Sequence, residues 1–171
     1  MHTKEQILED IDDSTKELID ILTSFPEKDF NTKLDENQWS AGEVADHLII
    51  LEGYINNVLA GKTKETERNW EDKIDWIKKG FLDFEKKYNA PGVIRPSENK
   101  QSKQDCINKV LATRKRFSEL VDANDITVTC TDFVHKVFGE LTITEMAYFN
   151  IYHTKRHIHQ IENLKEYFAN Y

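Results

Sequence analysis

Glycine and proline are scarce in this sequence, which has six glycines and three prolines among 171 residues. All-β folds need frequent turns, and glycine and proline are the residues that make them. Their scarcity therefore favours helices over sheets. The length is typical of one domain, so we expect a single domain over residues 1–171 that folds without a disulfide or a structural metal.

Cysteine is also rare, with only Cys106 and Cys130. They are too far apart for a CxxC motif and too few for a disulfide scaffold, so we expect incidental free thiols in a reducing compartment. No apolar run approaches the ~20 residues that a membrane span requires. The N-terminal stretch MHTKEQILEDIDD lacks the apolar core of a signal peptide. We therefore expect a cytoplasmic protein with no membrane partner.

Positive charge is in deficit, because 23 basic residues stand against 31 acidic ones and the net charge is −8. A field of this sign repels phosphate groups and disfavours a nucleic-acid partner. One local basic group is present, and we expect it to form a solvated helix face: Lys109, Arg114, Lys115 and Arg116.

Apolar residues recur at helical spacing in four segments. These segments are about Thr3–Phe25, a stretch that opens with the capping-box pattern Ser40–Glu43, about Ser102–Val121, and a stretch that opens with a second capping-box pattern, Thr142–Glu145. They predict an all-α fold, a four-helix bundle. The charged stretch from Lys62 to Tyr88 predicts one additional shorter helix, and Ile126–Cys130 has some β character.

Histidines interrupt the apolar stripes at three positions. His47 lies in the stripe of the second helix, and His153 and His157 lie four residues apart in the stripe of the last helix. Imidazoles at this spacing project from the same helix face, one turn apart. Three inward histidines from two packed helices would give a three-nitrogen metal site with an open position for water or substrate. The alternative for each of them is a hydrogen-bonded core histidine, and the spacing alone leaves both open.

Other polar residues near these stripes allow two interpretations each. Glu43 could act as a base near His47, although the capping box predicts a structural carboxylate. Asn150 and Gln160, one turn on either side of the histidine pair, could orient ligands or could lie at the rim of the bundle. His159 is expected in solvent and His2 at a frayed end.

The spacing excludes two known kinds of metal site. A thermolysin-type protease needs glutamate directly after the first histidine, where this chain has Thr154. A ferritin-like di-iron site needs Glu-x-x-His pairs and bridging carboxylates from several helices, which the four segments do not offer.

Three segments resemble the DinB-like superfamily. Trp39–Leu48 is similar to the family's W-S-x-x-E-V-x-x-H-L helix start, and Tyr152–Ile161 contains its H-x-x-R/K-H-x-x-Q-I pattern. His135–Thr142 is similar to its H-P-x-F-G-x-L-T loop, with Lys136 in place of proline and with His135 at a position not assigned to the metal. The resemblance implies a four-helix bundle that holds one divalent metal ion, usually zinc or nickel, through His47, His153 and His157.

The same resemblance implies a small-molecule substrate, because characterised relatives include low-molecular-weight-thiol S-transferases and a thiol-dependent isomerase. The leading hypothesis is a metal-dependent enzyme that transfers a low-molecular-weight thiol to a small electrophile. The alternatives are a metal-hydroxide hydrolase of a small ester or amide, and a non-catalytic, stress-related ligand- or metal-binding module. No catalytic residue beyond the metal ligands is assigned. Aromatic residues predicted at the surface, such as Trp70, Trp76 and Tyr171, leave a homodimer open.

Overall fold

Five helices dominate the computed structural model, which describes residues 1–170. They are α1 (Lys4–Ser24), α2 (Ala41–Leu59), α3 (Ile74–Leu82), α4 (Lys103–Ala123) and α5 (Ile143–Asn170). The four long helices pack with α1 and α2 each against both α4 and α5, and the short α3 lies against α5. The prediction of an all-α bundle with one additional shorter helix is confirmed, although α3 occupies only nine residues of the stretch from Lys62 to Tyr88.

A small β element joins two of the loops. Strand β1 (Thr63–Lys64) pairs antiparallel with β2 (Thr129–Cys130), so that Thr63 lies opposite Cys130. Strand β2 falls in the segment for which the sequence indicated β character. It also brings the chain to the start of α5 through a bridge between Thr129 and Thr142.

Both predicted capping boxes form, and they fix where α2 and α5 begin. Ser40 N donates to Glu43 Oε2 at 2.9 Å while Ser40 Oγ accepts from Glu43 N at 3.2 Å. Thr142 N donates to Glu145 Oε2 at 3.0 Å while Thr142 Oγ1 accepts from Glu145 N at 3.1 Å. These reciprocal bonds satisfy backbone donors at each helix start, which places His47 in the second turn of α2.

The apolar stripes fill the bundle in two clusters, and a layer of buried polar residues separates them along the helices. On α1, Ser14 lies between Ile11 of one cluster and Leu18 of the other. On α4, Arg114 lies between Val110 and Phe117 in the same way. The corresponding part of α5 is the segment 150–157, so the predicted histidine site belongs to this polar layer.

Several single-residue predictions are corrected. Arg114 is only 2% exposed and forms an ion pair with Glu52, so the predicted solvated basic face loses one of its four members. His2 is not frayed, because its backbone N and Nδ1 both lie 2.6 Å from Glu71 Oε1. His159 is half-buried and stacks on Phe84, with ring centroids 4.0 Å apart.

The remaining surface and thiol predictions have mixed outcomes. Trp76 is half exposed, Trp70 is partly buried, and Tyr171 lies outside the described residues. Cys106 and Cys130 are free and buried, and burial raises the pKa of each thiol to about 11, which keeps both as unreactive thiols. No helix in residues 1–170 combines the length and the apolar character needed to cross a membrane.

Candidate metal centre

Three histidines from two helices meet at one point inside the bundle. His153 Nε2 lies 3.3 Å from His47 Nε2 and 3.1 Å from His157 Nε2. All three side chains are buried, and their ligand nitrogens lie within 4.8 Å of one another. The structure therefore brings together the three residues that the sequence singled out. Among residues 1–170, this is the cluster whose side chains could hold a metal ion.

Hydrogen bonds on the far side of two rings determine their tautomers. His47 Nδ1 lies 2.6 Å from the carbonyl oxygen of Ile94, and His157 Nδ1 lies 2.9 Å from Gln160 Oε1. Both partners are acceptors, so each Nδ1 carries the ring proton. The Nε2 atom of each ring then presents a lone pair to the centre. Gln160 thus orients one of the three histidines, which was one of the two roles considered for it.

Burial keeps all three imidazoles neutral at physiological pH. It lowers the pKa of His47, and it lowers the pKa of His157 to about 3. Burial also holds the pKa of His153 well below its ordinary value, and the neighbouring His157 and His47 reinforce that shift. A neutral imidazole is the form that binds a metal ion, so the cluster needs no deprotonation before it can act as a ligand set.

The donor set fits one divalent ion. Nitrogens bound to a zinc ion at about 2.0–2.1 Å lie roughly 3.3 Å apart in a tetrahedral arrangement. The 3.1 and 3.3 Å separations around His153 Nε2 are close to that value. Two lone pairs that converge on a third ring nitrogen would otherwise compete for a single proton, whereas a cation can accept all three nitrogens. Imidazole nitrogen suits zinc, nickel, copper and iron, so the chemistry of the ligands does not select one of them.

Aromatic rings surround the three imidazoles. Trp39 packs against His47 and His157, with ring centroids 4.9 and 6.4 Å apart. Phe81 meets the ring of His153 edge to face at 5.3 Å, and Phe149 stacks against the same ring at 6.1 Å. An apolar wall of this kind lowers the local dielectric and restricts access of water to the nitrogens.

The last residues of α3 and the segment that follows them lie along the site and are held there by Arg156. The Arg156 guanidinium donates to the carbonyl oxygens of Phe81 at 3.1 Å and Asp83 at 3.0 Å, and also to that of Lys86. It also lies over the ring of Tyr88, 4.8 Å from the centroid. This segment continues to Ile94, whose carbonyl orients His47, and we call Phe81–Ile94 the site strap. The family pattern contains Arg156, but no role for this residue was predicted from the sequence.

Two residues considered in the sequence lie outside the cluster. Both carboxylate oxygens of Glu43 are engaged, because Oε2 accepts from Ser40 N and Oε1 lies 2.7 Å from Lys33 Nζ. The structure therefore favours the capping role of Glu43 over the role of a base. His135 Nδ1 accepts from the backbone N–H groups of Val137 and Phe138, each at 3.1 Å, so it stabilises the turn that leads to Gly139.

The buried polar layer contains an ion pair that the sequence analysis missed. Glu52 and Arg114 are 1% and 2% exposed, and the Arg114 Nε faces Glu52 Oε1. Arg114 also donates to Ser14 Oγ at 3.1 Å and to Thr154 Oγ1. Glu52 accepts from Asn150 Nδ2 at 3.2 Å. A single polar network thus connects α1, α2, α4 and α5, next to the histidines.

Comparison with known proteins gives consistent matches. The sequence profile of the DinB superfamily matches residues 3–161. A curated relative, the uncharacterized protein YuaE of Bacillus subtilis strain 168, is 24% identical over 146 residues, which is 85% of this chain and 88% of that protein. The crystal structure of TT2238, described as a four-helix bundle protein, superposes with a TM-score of 0.57 at 19% identity, covering 94% of this chain and 99% of that one. At that identity the structural match supports the fold alone.

Proposed function

Because this chain belongs to the DinB superfamily, we propose that it is a metal-dependent enzyme that transfers a low-molecular-weight thiol to a small electrophile. One divalent ion, zinc or nickel, would be held by His47, His153 and His157. The observation that carries the proposal is the convergence of three buried Nε2 atoms within 4.8 Å. Two of these nitrogens have lone pairs that are directed by the partners of their Nδ1 atoms.

Three neutral ligands leave the full positive charge of a divalent ion in place. A metal ion in such a site supplies Lewis acidity, which lowers the pKa of a bound thiol or water to near neutrality. The chain's own contribution is to fix the ligands. Ile94 and Gln160 hold two rings by their Nδ1 protons, and Trp39 and Phe81 limit the entry of water.

The proposed reaction is a simple substitution or addition at carbon. The thiol loses its proton to solvent, and its sulfur forms a bond to the electrophilic carbon. In a substitution the leaving group departs with the electron pair of the bond that breaks, and in an addition the carbon that becomes negative takes a proton from solvent. The aromatic surroundings favour an electrophile with apolar groups, because Trp39, Phe81 and Phe149 offer ring faces and edges rather than charges.

The same centre could instead hydrolyse a small ester or amide. That reaction gains from a general base within hydrogen-bond reach of the attacking water. Glu43 was the candidate for this base, and its carboxylate is bound to Ser40 and Lys33. This occupancy is the reason that we rank thiol transfer above hydrolysis.

Turnover by metal-loaded protein tests the proposal. Untagged protein, reconstituted with zinc or with nickel, is assayed with glutathione or cysteine against 1-chloro-2,4-dinitrobenzene, and separately with 4-nitrophenyl acetate for hydrolysis. We expect thiol transfer that requires the metal, is lost in His153→Ala and persists in His159→Ala, a control on the same helix. Bound metal without turnover of any thiol–electrophile pair would overturn the transferase and favour a binding module. Ester hydrolysis alone would favour the hydrolase.

A further inference from the structure

One histidine of the cluster lacks the support that the other two have. His47 and His157 each donate the Nδ1 proton to an oxygen, whereas His153 Nδ1 is buried and has no hydrogen-bond partner. If His153 Nε2 binds a metal ion, the neutral ring must carry its proton on Nδ1. Metal-bound histidines almost always donate this proton to a carboxylate, a carbonyl or water. His153 therefore needs an acceptor on the side of its ring away from the cluster.

A matching acceptor lies one turn earlier on the same helix. Asn150 is fully buried, and its Oδ1 is also without a hydrogen-bond partner. Residues three apart on a helix are neighbours, and helical side chains lean towards the N-terminus, so the His153 ring leans over the turn that holds Asn150. Among the buried side-chain atoms of residues 1–170 that lack a hydrogen bond, these two form a donor and an acceptor on one helix face.

The orientation of the Asn150 amide is fixed by its other end. Asn150 Nδ2 donates to Glu52 Oε1 at 3.2 Å, and a flipped amide would place two acceptor oxygens against each other. Glu52 is itself held, because its Oε2 accepts from Thr113 Oγ1 at 2.6 Å and its Oε1 pairs with Arg114. The amide nitrogen therefore stays on the side of Glu52, and Oδ1 remains available as an acceptor.

We propose that Asn150 is a positioning residue for the metal centre. Its Oδ1 accepts the Nδ1 proton of His153, directly or across one water molecule, and its Nδ2 ties the pair to the buried Glu52–Arg114 ion pair. His153 is then oriented by a relay that runs through α5, α2 and α4. This inference rests on the proposed metal site, and it adds a residue to that site that touches neither metal nor substrate.

Three variants test the relay. Asn150→Leu removes both polar atoms at similar volume, and Asn150→Asp keeps an oxygen for His153 while it loses the donor to Glu52. Asn56→Leu is the matched control, because Asn56 is also buried on a bundle helix, also has an unpartnered Oδ1, and bonds through Nδ2 to the Thr113 carbonyl. Zinc affinity is measured by competition with a chromophoric chelator, and denaturant unfolding of the zinc-free proteins reports their stability.

We expect Asn150→Leu to weaken zinc binding by about 10–100-fold, the usual effect of losing such a partner of a ligand. Asn56→Leu should change the affinity by no more than about twofold, because Asn56 bonds to the backbone carbonyl of Thr113 and to no group of the proposed relay. Asn150→Asp should bind zinc nearly as tightly as the wild type. Its new carboxylate faces that of Glu52, and this repulsion should lower stability. The absorption spectrum of the cobalt-substituted protein should change in Asn150→Leu alone.

Two results would overturn the relay. One is an equal change, or no change, in zinc affinity for Asn150→Leu and Asn56→Leu, and the other is an Asn150→Asp variant that binds as weakly as Asn150→Leu. If the unmodified protein binds no zinc, the proposed metal site fails, and the relay fails with it. Failure of the relay alone is recognised by normal zinc binding in the unmodified protein. Should Asn150→Leu not fold, NMR of zinc-loaded protein with ¹⁵N-labelled histidine decides. The relay predicts that the Nδ1 proton of His153 has the downfield shift of a hydrogen-bonded proton, and an Nδ1 proton without a hydrogen bond would contradict it.

Discussion

The first turn of α5 and its middle both bury polar side chains, and they differ in how completely those side chains are paired. In the first turn, Glu145 is fully buried and its carboxylate is saturated. It accepts from the Arg68 guanidinium at 2.6 and 2.5 Å, from Lys73 N at 3.0 Å and from Thr142 N at 3.0 Å. Each group in this cluster has a partner of opposite polarity, as expected of a cluster that stabilises the fold.

In the middle of the helix the pairing is incomplete. His153 Nδ1 and Asn150 Oδ1 are buried without hydrogen bonds, and the Nε2 atoms of three neutral histidines face one another. Unpaired buried polar atoms lower stability, by about 1–3 kcal/mol for each group. Unpaired buried polar atoms are retained where a bound ligand or a function compensates for the lost stability. This difference supports a stabilising role for the first turn of α5, and it supports the proposed metal site in the middle of the helix.

The largest expected effect is the stabilisation of the folded protein by zinc, which tests the role of the middle of α5. Zinc should raise the unfolding temperature of the wild type, because a ligand that binds only the folded state stabilises it in proportion to ln(1 + [L]/Kd). His153→Ala should abolish this rise, since His153 Nε2 contacts both other ligand nitrogens. His159→Ala, a partly buried histidine on the same helix, is the control and should keep it. A rise of equal size in both variants would contradict the assignment.

The sequence predicted the three clustered histidines better than the residues that support them. His47, His153 and His157 interrupt apolar stripes, and helical periodicity alone puts such residues on the inner face. The partners of those residues are distant in sequence: Ile94 is 47 residues from His47, and Arg114 is 62 residues from Glu52. A single charged residue within a helix resembles a surface position until its partner is known. For that reason Arg114 was predicted in solvent, and Glu52 was not considered.

The bundle itself was predictable for a similar reason, and the connections were not. Capping boxes and apolar stripes are local signals, and they gave the four long helices to within a few residues. The stretch from Lys62 to Tyr88 has few local signals. Its single helix, Ile74–Leu82, is defined by packing of Ile77 and Phe81 against the core, which depends on α5 being in place.

The second prediction concerns the saturated cluster. Glu145→Ala should lower the free energy of unfolding by about 3 kcal/mol, because it leaves the partly buried Arg68 and the backbone N–H of Lys73 without their acceptor. Zinc affinity should stay within about twofold of the wild type. Glu140→Ala is the control, since its ion pair with Lys64 is exposed and such pairs contribute about 0–1 kcal/mol. A loss of zinc binding in Glu145→Ala would contradict the distinction between the first turn of α5 and the proposed metal site.

The third prediction concerns the site strap. Arg156→Gln should weaken zinc binding by less than about 10-fold, the effect expected of a direct partner of a ligand. The effect is smaller because Arg156 acts on His47 only through the strap and Ile94. The same variant should release zinc to a chelator faster than the wild type. Lys155→Gln, at the adjacent position, should release zinc at the wild-type rate. Equal release rates in the two variants would show that the strap does not support the site.

The smallest expected effect concerns the backbone conformation of Gly139, in the turn that precedes α5. Gly139 has φ +70°, a conformation that disfavours residues with a Cβ atom, so Gly139→Ala should cost about 1–2 kcal/mol of stability. Gly53→Ala, within α2, has open space around the new Cβ and should stabilise the protein by up to about 1 kcal/mol. Neither change should alter zinc affinity. Opposite signs in denaturant unfolding would confirm the prediction, and destabilisation by both would contradict it.

The most direct test of the central claim is the metal content of the unmodified protein. Untagged chain, purified without a nickel column, is incubated with zinc, freed of excess metal by gel filtration and analysed by mass spectrometry beside His47→Ala and His153→Ala. A centre built from three convergent imidazoles predicts about one zinc per chain in the wild type and none in either variant. Metal-free wild-type protein, or zinc retained at one equivalent in both variants, would contradict the account.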